Sequence, residues 1–284
     1  MHREYGPAVL LTPRYGDQPV VSVELRADGP HPVLQQRRRL EALLRDLTDE
    51  QWQHPSRCEG WSVQDVITHL TSTNGFWALS IEQGLTGEPT RYLALFDPVA
   101  SPAEMVDQVQ GTPPSVTLAE FATTNDALAR TVEALDDAGW DATAEAPPGH
   151  LPIRLVADHA LWDAWVHERD IVLPLGLEPT VDADEVRTCL RYGAALGRGL
   201  AICGGSTEVG AVEISVTGPE DRFVVEAGAE AVRVHAGTSP ADARTVRADA
   251  VELLEVLSRR DVGWAEPPEV AWLSAGLAQV FDQP

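Results

Sequence analysis

The sequence predicts an α+β protein, a helical bundle first and a small α/β unit after it. Two observations carry this. Up to Gly204 and Gly205 the apolar residues recur at helical spacing, and beyond that point the period falls from 3.6 to 2. Helices followed by strands, instead of alternating with them, segregate the two kinds of structure. The expected division is an N-terminal extension over residues 1–30, a bundle over 31–180 and an α/β unit over 181–284.

In the extension, the apolar run at residues 8–11 is cut by Pro13, Gly16 and Pro19, and residues 20–25 alternate like a strand. This describes a hairpin packed on the body or a loose arm. The first helix covers 33–47, where Leu34, Leu40, Leu43, Leu44 and Leu47 share a face. Thr48 caps a short turn over 49–52. Ser62 caps a second helix, with Asp65 in its first turn where the dipole favours an anion, running through His69 to about Gln83. Residues 86–116 read as a long connection with helical turns near 103–109, and 118–135 as a third helix. Pro147, Pro148 and Gly149 mark a loop. A fourth helix covers 153–172, stopped by Pro174 and Gly176, and a fifth covers 183–201. Strands follow at 209–217, 222–226 and 231–235, then a helix at 249–259, a linker at 263–268 and a last helical stretch at 269–281.

Composition narrows the function classes. The 44 acidic against 21 basic residues give a net charge of −23, which repels nucleic acid and anionic membranes. The one basic cluster, Arg37 to Arg39, lies within a helical pattern and reads as a solvated face. No apolar run approaches the roughly 20 residues of a membrane span, and no secretory signal precedes the first helix, so a cytoplasmic protein is expected. Three scattered cysteines exclude a disulfide framework or a Cys-rich zinc site, leaving nitrogen and oxygen ligands for any metal.

The fourth helix carries the chemistry. His159, Asp163 and His167 follow one another at intervals of four, so all lie near one stripe. His159 and His167 are about 12 Å apart along the axis, too far to share an ion. The chelating pair is therefore His159 with Asp163 or Asp163 with His167, and such a pair equally describes an exposed salt-bridge face. His69, on the second helix beside Val66 and Leu70, is a candidate third ligand or a satisfied core histidine. Two imidazoles and a carboxylate suit Zn²⁺ and leave a coordination position open.

The strings LTDEQW (47–52) and PSRCEGWSVQDVITHL (55–70) resemble the N-terminal signature of the mycothiol-dependent maleylpyruvate isomerase family, within the wider DinB-like group of four-helix metal proteins. DAWVHERD (163–170) is similar to that family's metal-binding helix. The strands at 209–236, followed by TVRADAVELL (245–254), resemble its sterol-carrier-like C-terminal domain. The resemblance implies a DinB-like bundle joined to that small domain, a divalent metal on His69, Asp163 and His167, and mycothiol as thiol cofactor or cosubstrate. It leaves His159 outside the site. The isomerase pattern has Glu where this chain has Asp163, one methylene shorter. That departure allows a longer metal contact, a bridge through water or an outer position, and it bears on isomerase activity more than on the metal.

Asp170, seven residues after Asp163, is placed to orient a ligand imidazole or to pair with Arg169 or Arg154. Trp77 and Arg91 are candidate substrate contacts, Arg91 for a carboxylate. The implied activity is transfer or exchange of the thiol on an electrophilic metabolite, or isomerisation of a maleylpyruvate-type substrate, by a monomer or homodimer. The competing reading is a non-catalytic metal-binding or regulatory protein.

Overall fold

Four helices build the bundle: α1 (Val33–Arg45), α3 (Val63–Leu85), α5 (Pro114–Glu133) and α7 (Ile153–Val172), in a computed structural model that describes residues 10–26, 29–240, 243–260, 263 and 267–281. Helices α1 and α3 each pack on both α5 and α7, which closes the ring. The short α2 (Asp49–Trp52) and α3 both start in capping boxes, Thr48 with Gln51 and Ser62 with Asp65. Pro114 sits in the first turn of α5, where its missing N–H costs nothing, so that helix begins before the expected residue 118. The long 86–116 connection holds a 3₁₀ turn (Tyr92–Leu95) and α4 (Ala100–Gln108). A one-turn α6 (Asp137–Asp141) leads to a hairpin, β2 (Thr143–Ala146) and β3 (Gly149–Pro152), whose turn is the expected Pro147–Gly149 loop.

Helix α8 (Ala183–Cys203) joins the halves. It packs on α7 and also on α9 (Ala250–Leu257), α10 (Ala271–Phe281) and the sheet. The sheet runs β1 (Val21–Val23), β6 (Val232–His235), β5 (Asp221–Ala227), β4 (Gly210–Thr217), β7 (Arg244–Asp249). The outer pairs are parallel and the inner ones antiparallel. Two of these strands exceed the three expected after residue 208. One is the alternating stretch near the N-terminus; the other, β7, is a polar edge strand with a single buried residue in the middle, Val246. One apolar core is continuous from Trp77 and Leu161 in the bundle to Ile214 and Leu253 under the sheet. Because α7 has helices on both sides, almost all of its circumference is buried.

The N-terminal segment is a packed arm. Leu11 N donates to Phe96 O (3.0 Å), Arg14 N to Pro148 O (3.0 Å), and His150 N to Arg14 O (3.0 Å) before β1 pairs with β6. The apolar residues at 8–9 and the linker residues 264–266 lie outside the described residues. Gly149 makes the docking possible. It has φ +125°, and a Cβ there would stand 2.0 Å from the Arg14 carbonyl oxygen. Gly149→Ala should therefore destabilise by roughly 1–3 kcal/mol from backbone conformation alone and release the arm. Limited proteolysis should cut within residues 10–26 ahead of global unfolding, and an unchanged cleavage pattern would refute the docking.

The Arg37–Arg39 cluster departs from the solvated face expected of it. Arg37 is buried, donating to Asn74 Oδ1 (2.8 Å), Gln36 Oε1 (2.8 Å) and Ala160 O (2.9 Å). Arg39 binds Glu168 and Glu185. Charge argues for exposure only when partners are lacking, and here neighbouring helices supply them. Arg38 alone points to an exposed partner, Glu133.

Candidate metal centre

Helices α3 and α7 cross where His69 faces Asp163 and His167. His69 Nε2 lies 3.7 Å from Asp163 Oδ1, and His167 Nε2 lies 3.6 Å from the same oxygen. The three donor atoms fall within 4.8 Å of one another. Thr73 Oγ1 donates to Asp163 Oδ2 (3.3 Å), which leaves Oδ1 for the two imidazoles. The carboxylate is one methylene short of the isomerase pattern, yet its oxygen reaches both rings. The apolar residues Val66, Leu70, Phe121 and Ala164 close the core beneath.

Electrostatics here favour a cation. Burial penalises the Asp163 carboxylate, but His69, His167 and His159 outweigh it and hold the group well below the usual carboxylate range. Burial also opposes charging of His167, yet the Cys58 sulphur, Asp170 and Asp163 draw its pKa up to about 10. A divalent ion answers the same negative surroundings that retain this proton.

Asp170 is completely buried and receives His167 Nδ1 at 3.0 Å. Its ion-pair partners are Arg57 (3.0 Å) and Arg260 (2.8 Å), not the expected Arg169 or Arg154. Arg169 turns to Glu255 on α9, and Arg154 lies over the Trp140 ring. Helical position gives a residue's direction but not what a distant loop brings to meet it. The loop before α3 folds back through a Pro55–Ser62 bridge, and Arg57 N donates to Asp170 O (3.0 Å).

That loop also places a residue the sequence reading passed over. Cys58 Sγ stands 3.3 Å from Asp170 Oδ2 and 3.6 Å from His167 Nδ1, so Cys58, His167 and Asp170 form a second group of potential ligands. The guanidinium groups of Arg57 and Arg260 on Asp170 oppose a cation there, so of the two groups the one with His69 is the better suited to a cation. The signal for Cys58 was its place in the same string as His69, four residues before the helix cap.

His159 stands apart from the cluster. It accepts from or donates to Tyr192 OH (2.8 Å) amid the rings of Trp77 and Trp162, and burial pushes its pKa down to about 4 against the pull of Asp163. His159→Ala should keep full metal stoichiometry, while Asp163→Ala should lose affinity. Metal analysis giving the reverse would put the ligand pair at His159 and Asp163. Trp77 belongs to the core against His159, and Arg91 is exposed with its guanidinium 5.2 Å from the Tyr15 ring centre. Neither joins the His69 cluster.

Among solved structures, the chain is similar to the mycothiol-dependent maleylpyruvate isomerase and to a histidine-to-alanine mutant of it. Each aligns with a TM-score of 0.57 and 15% identity, over 84% of this chain and 94% of the other. That likeness is one of fold. No curated protein matches the chain. Residues 33–172, which hold all three candidate ligands, match the mycothiol maleylpyruvate isomerase N-terminal domain family, and this part of the chain belongs to that family.

Proposed function

We propose that the chain is a mycothiol-dependent enzyme that binds one divalent cation through His69, Asp163 and His167. It acts on an electrophilic metabolite, transferring or exchanging the thiol on it or isomerising a maleylpyruvate-type substrate. The observation that carries this reading is the convergence of three donor atoms from α3 and α7 on one point. Family membership supports the thiol and the isomerase side of it.

The donor set fits a borderline ion, zinc first. The separations of 3.6 and 3.7 Å approach the roughly 3.4 Å between ligands of a tetrahedral ion bound at about 2.0–2.1 Å. Three protein ligands leave room for a thiol or substrate atom. When bound, a divalent cation favours the thiolate, the nucleophilic form, over the thiol.

The chain's own residues do the rest. Asp170 takes the His167 Nδ1 proton in a hydrogen bond, which fixes the tautomer with Nε2 free to ligate. The Trp61 ring lies 5.6 Å from the His69 ring and limits its motion. The three side chains are only 13–14% exposed, which limits the water that reaches them.

Purified, zinc-loaded protein should consume a maleylpyruvate-type electrophile or a thiol acceptor only with mycothiol present. A chelator should stop turnover and zinc should restore it. Full activity in the stripped protein, or indifference to any thiol, would sink this function.

A further inference from the structure

Beside the metal centre lies an open cleft of about 670 Å³ between the start of α3, the loop before it and the α4–α5 connection. His69, Asp163 and His167 do not line it, but the wall is shared. Trp61 lines the cleft and packs on His69, and Thr68 lines it one residue before His69.

The lining has a consistent chemistry. Among the described residues it contains no lysine, arginine or histidine and only one acid, Asp65. A phosphate or a dicarboxylate would find no counter-charge in it. What it offers is neutral hydrogen bonding in a held arrangement. Gln53 Nε2 donates to Gln64 Oε1 (2.7 Å), and Gln64 Nε2 to Thr112 O (2.7 Å). Gln110 Nε2 donates to Asp65 Oδ1 (3.1 Å), and Asp65 is itself fixed by the Ser62 cap. Each of Gln53 and Gln110 retains a second amide hydrogen and its carbonyl oxygen. Trp61 adds one flat aromatic face.

We infer that this cleft binds the polyhydroxylated, uncharged part of the thiol, with the indole of Trp61 against a sugar ring and the amides of Gln53 and Gln110 on its hydroxyls. The inference rests on the mycothiol reading above, since mycothiol is a cysteinyl thiol carried by a short amide arm on a neutral pseudodisaccharide. From Asp65 to His69 the helix rises about 6 Å, a span such an arm covers with its sulphur at the metal centre. The cleft thus selects among thiols by what they carry.

The test uses the full-length, zinc-loaded chain and three probes: mycothiol, its S-methyl thioether and N-acetylcysteine. Calorimetry should show the S-methyl compound binding wild type. The exposed double change Gln53→Ala/Gln110→Ala should weaken it ~10-fold, the loss of about two hydrogen bonds, with zinc content and N-acetylcysteine binding unchanged. Mycothiol binding no tighter than N-acetylcysteine, or equally tight in the double variant, would overturn the cleft assignment and leave the thiol-dependent function intact. Binding of the S-methyl compound that depends on Gln53 and Gln110, in a protein that turns over nothing with mycothiol, would support the cleft while removing the proposed function.

Discussion

His69→Ala and His167→Ala should each yield a folded chain that no longer retains a divalent ion, with mycothiol-dependent turnover abolished. Both side chains are about seven-eighths buried but contribute to no apolar core, so the cost falls on the site. Removing one of three ligands should cost affinity beyond the about 10–100-fold that an outer partner commands. His69→Ala discriminates better of the two, because it leaves the α7 chelate of Asp163 and His167 intact. If those two sufficed, the variant would keep a full equivalent of zinc by metal analysis, and the site would lie on α7 alone. Circular dichroism and melting near wild type would establish that a lost ion is not a lost fold.

Much of this site was readable in the chain because its parts are local. The interval of four between Asp163 and His167 fixes their shared stripe on any helix, and the Ser62 cap fixes where α3 begins and so where His69 falls along it. Helix periodicity could not decide whether α3 and α7 are neighbours, and the choice between the two α7 pairs stayed open for that reason. Resemblance supplied the register, and the Tyr192 hydroxyl on His159 gives its physical counterpart. The parts missed are all non-local. Arg57 and Cys58 reach Asp170 across more than 110 residues and Arg260 across 90. Arg37 was assigned to solvent because single-residue preference knows nothing of Asn74 and the Ala160 carbonyl waiting on other helices. The polar edge strand β7 buries Val246 alone, and one apolar residue gives no period-2 alternation to read.

Asp170→Ala should be the most destabilising single change near the site. The carboxylate is wholly buried and holds Arg260 through two contacts, Nε to Oδ1 at 2.9 Å and Nη2 to Oδ2 at 2.8 Å, besides Arg57 and His167. Arg57 also pairs with Glu255 of α9, so this network ties the loop before α3 and the end of α7 to the C-terminal half. Truncating the acid leaves guanidinium groups with only 20% and 18% of their side chains exposed facing an uncompensated site. Breaking a buried pair in this way costs about 3–5 kcal/mol, a fall in Tm on the order of 10 °C for a chain of this size. Asp170→Asn keeps the shape and one acceptor oxygen, and should fall between wild type and alanine. Stability alone would not separate an anchor from a residue that also orients His167. Zinc affinity measured well below the melting temperature does, because a pure anchor would leave it unchanged in the folded Asp170→Asn protein. Orientation of the imidazole predicts a loss of about 10–100-fold there. An alanine variant melting within about 2 °C of wild type would mean that Glu255 on Arg57 and the Ser258 carbonyl on Arg260 suffice to hold these arginines, and that the seam between the halves does not depend on Asp170.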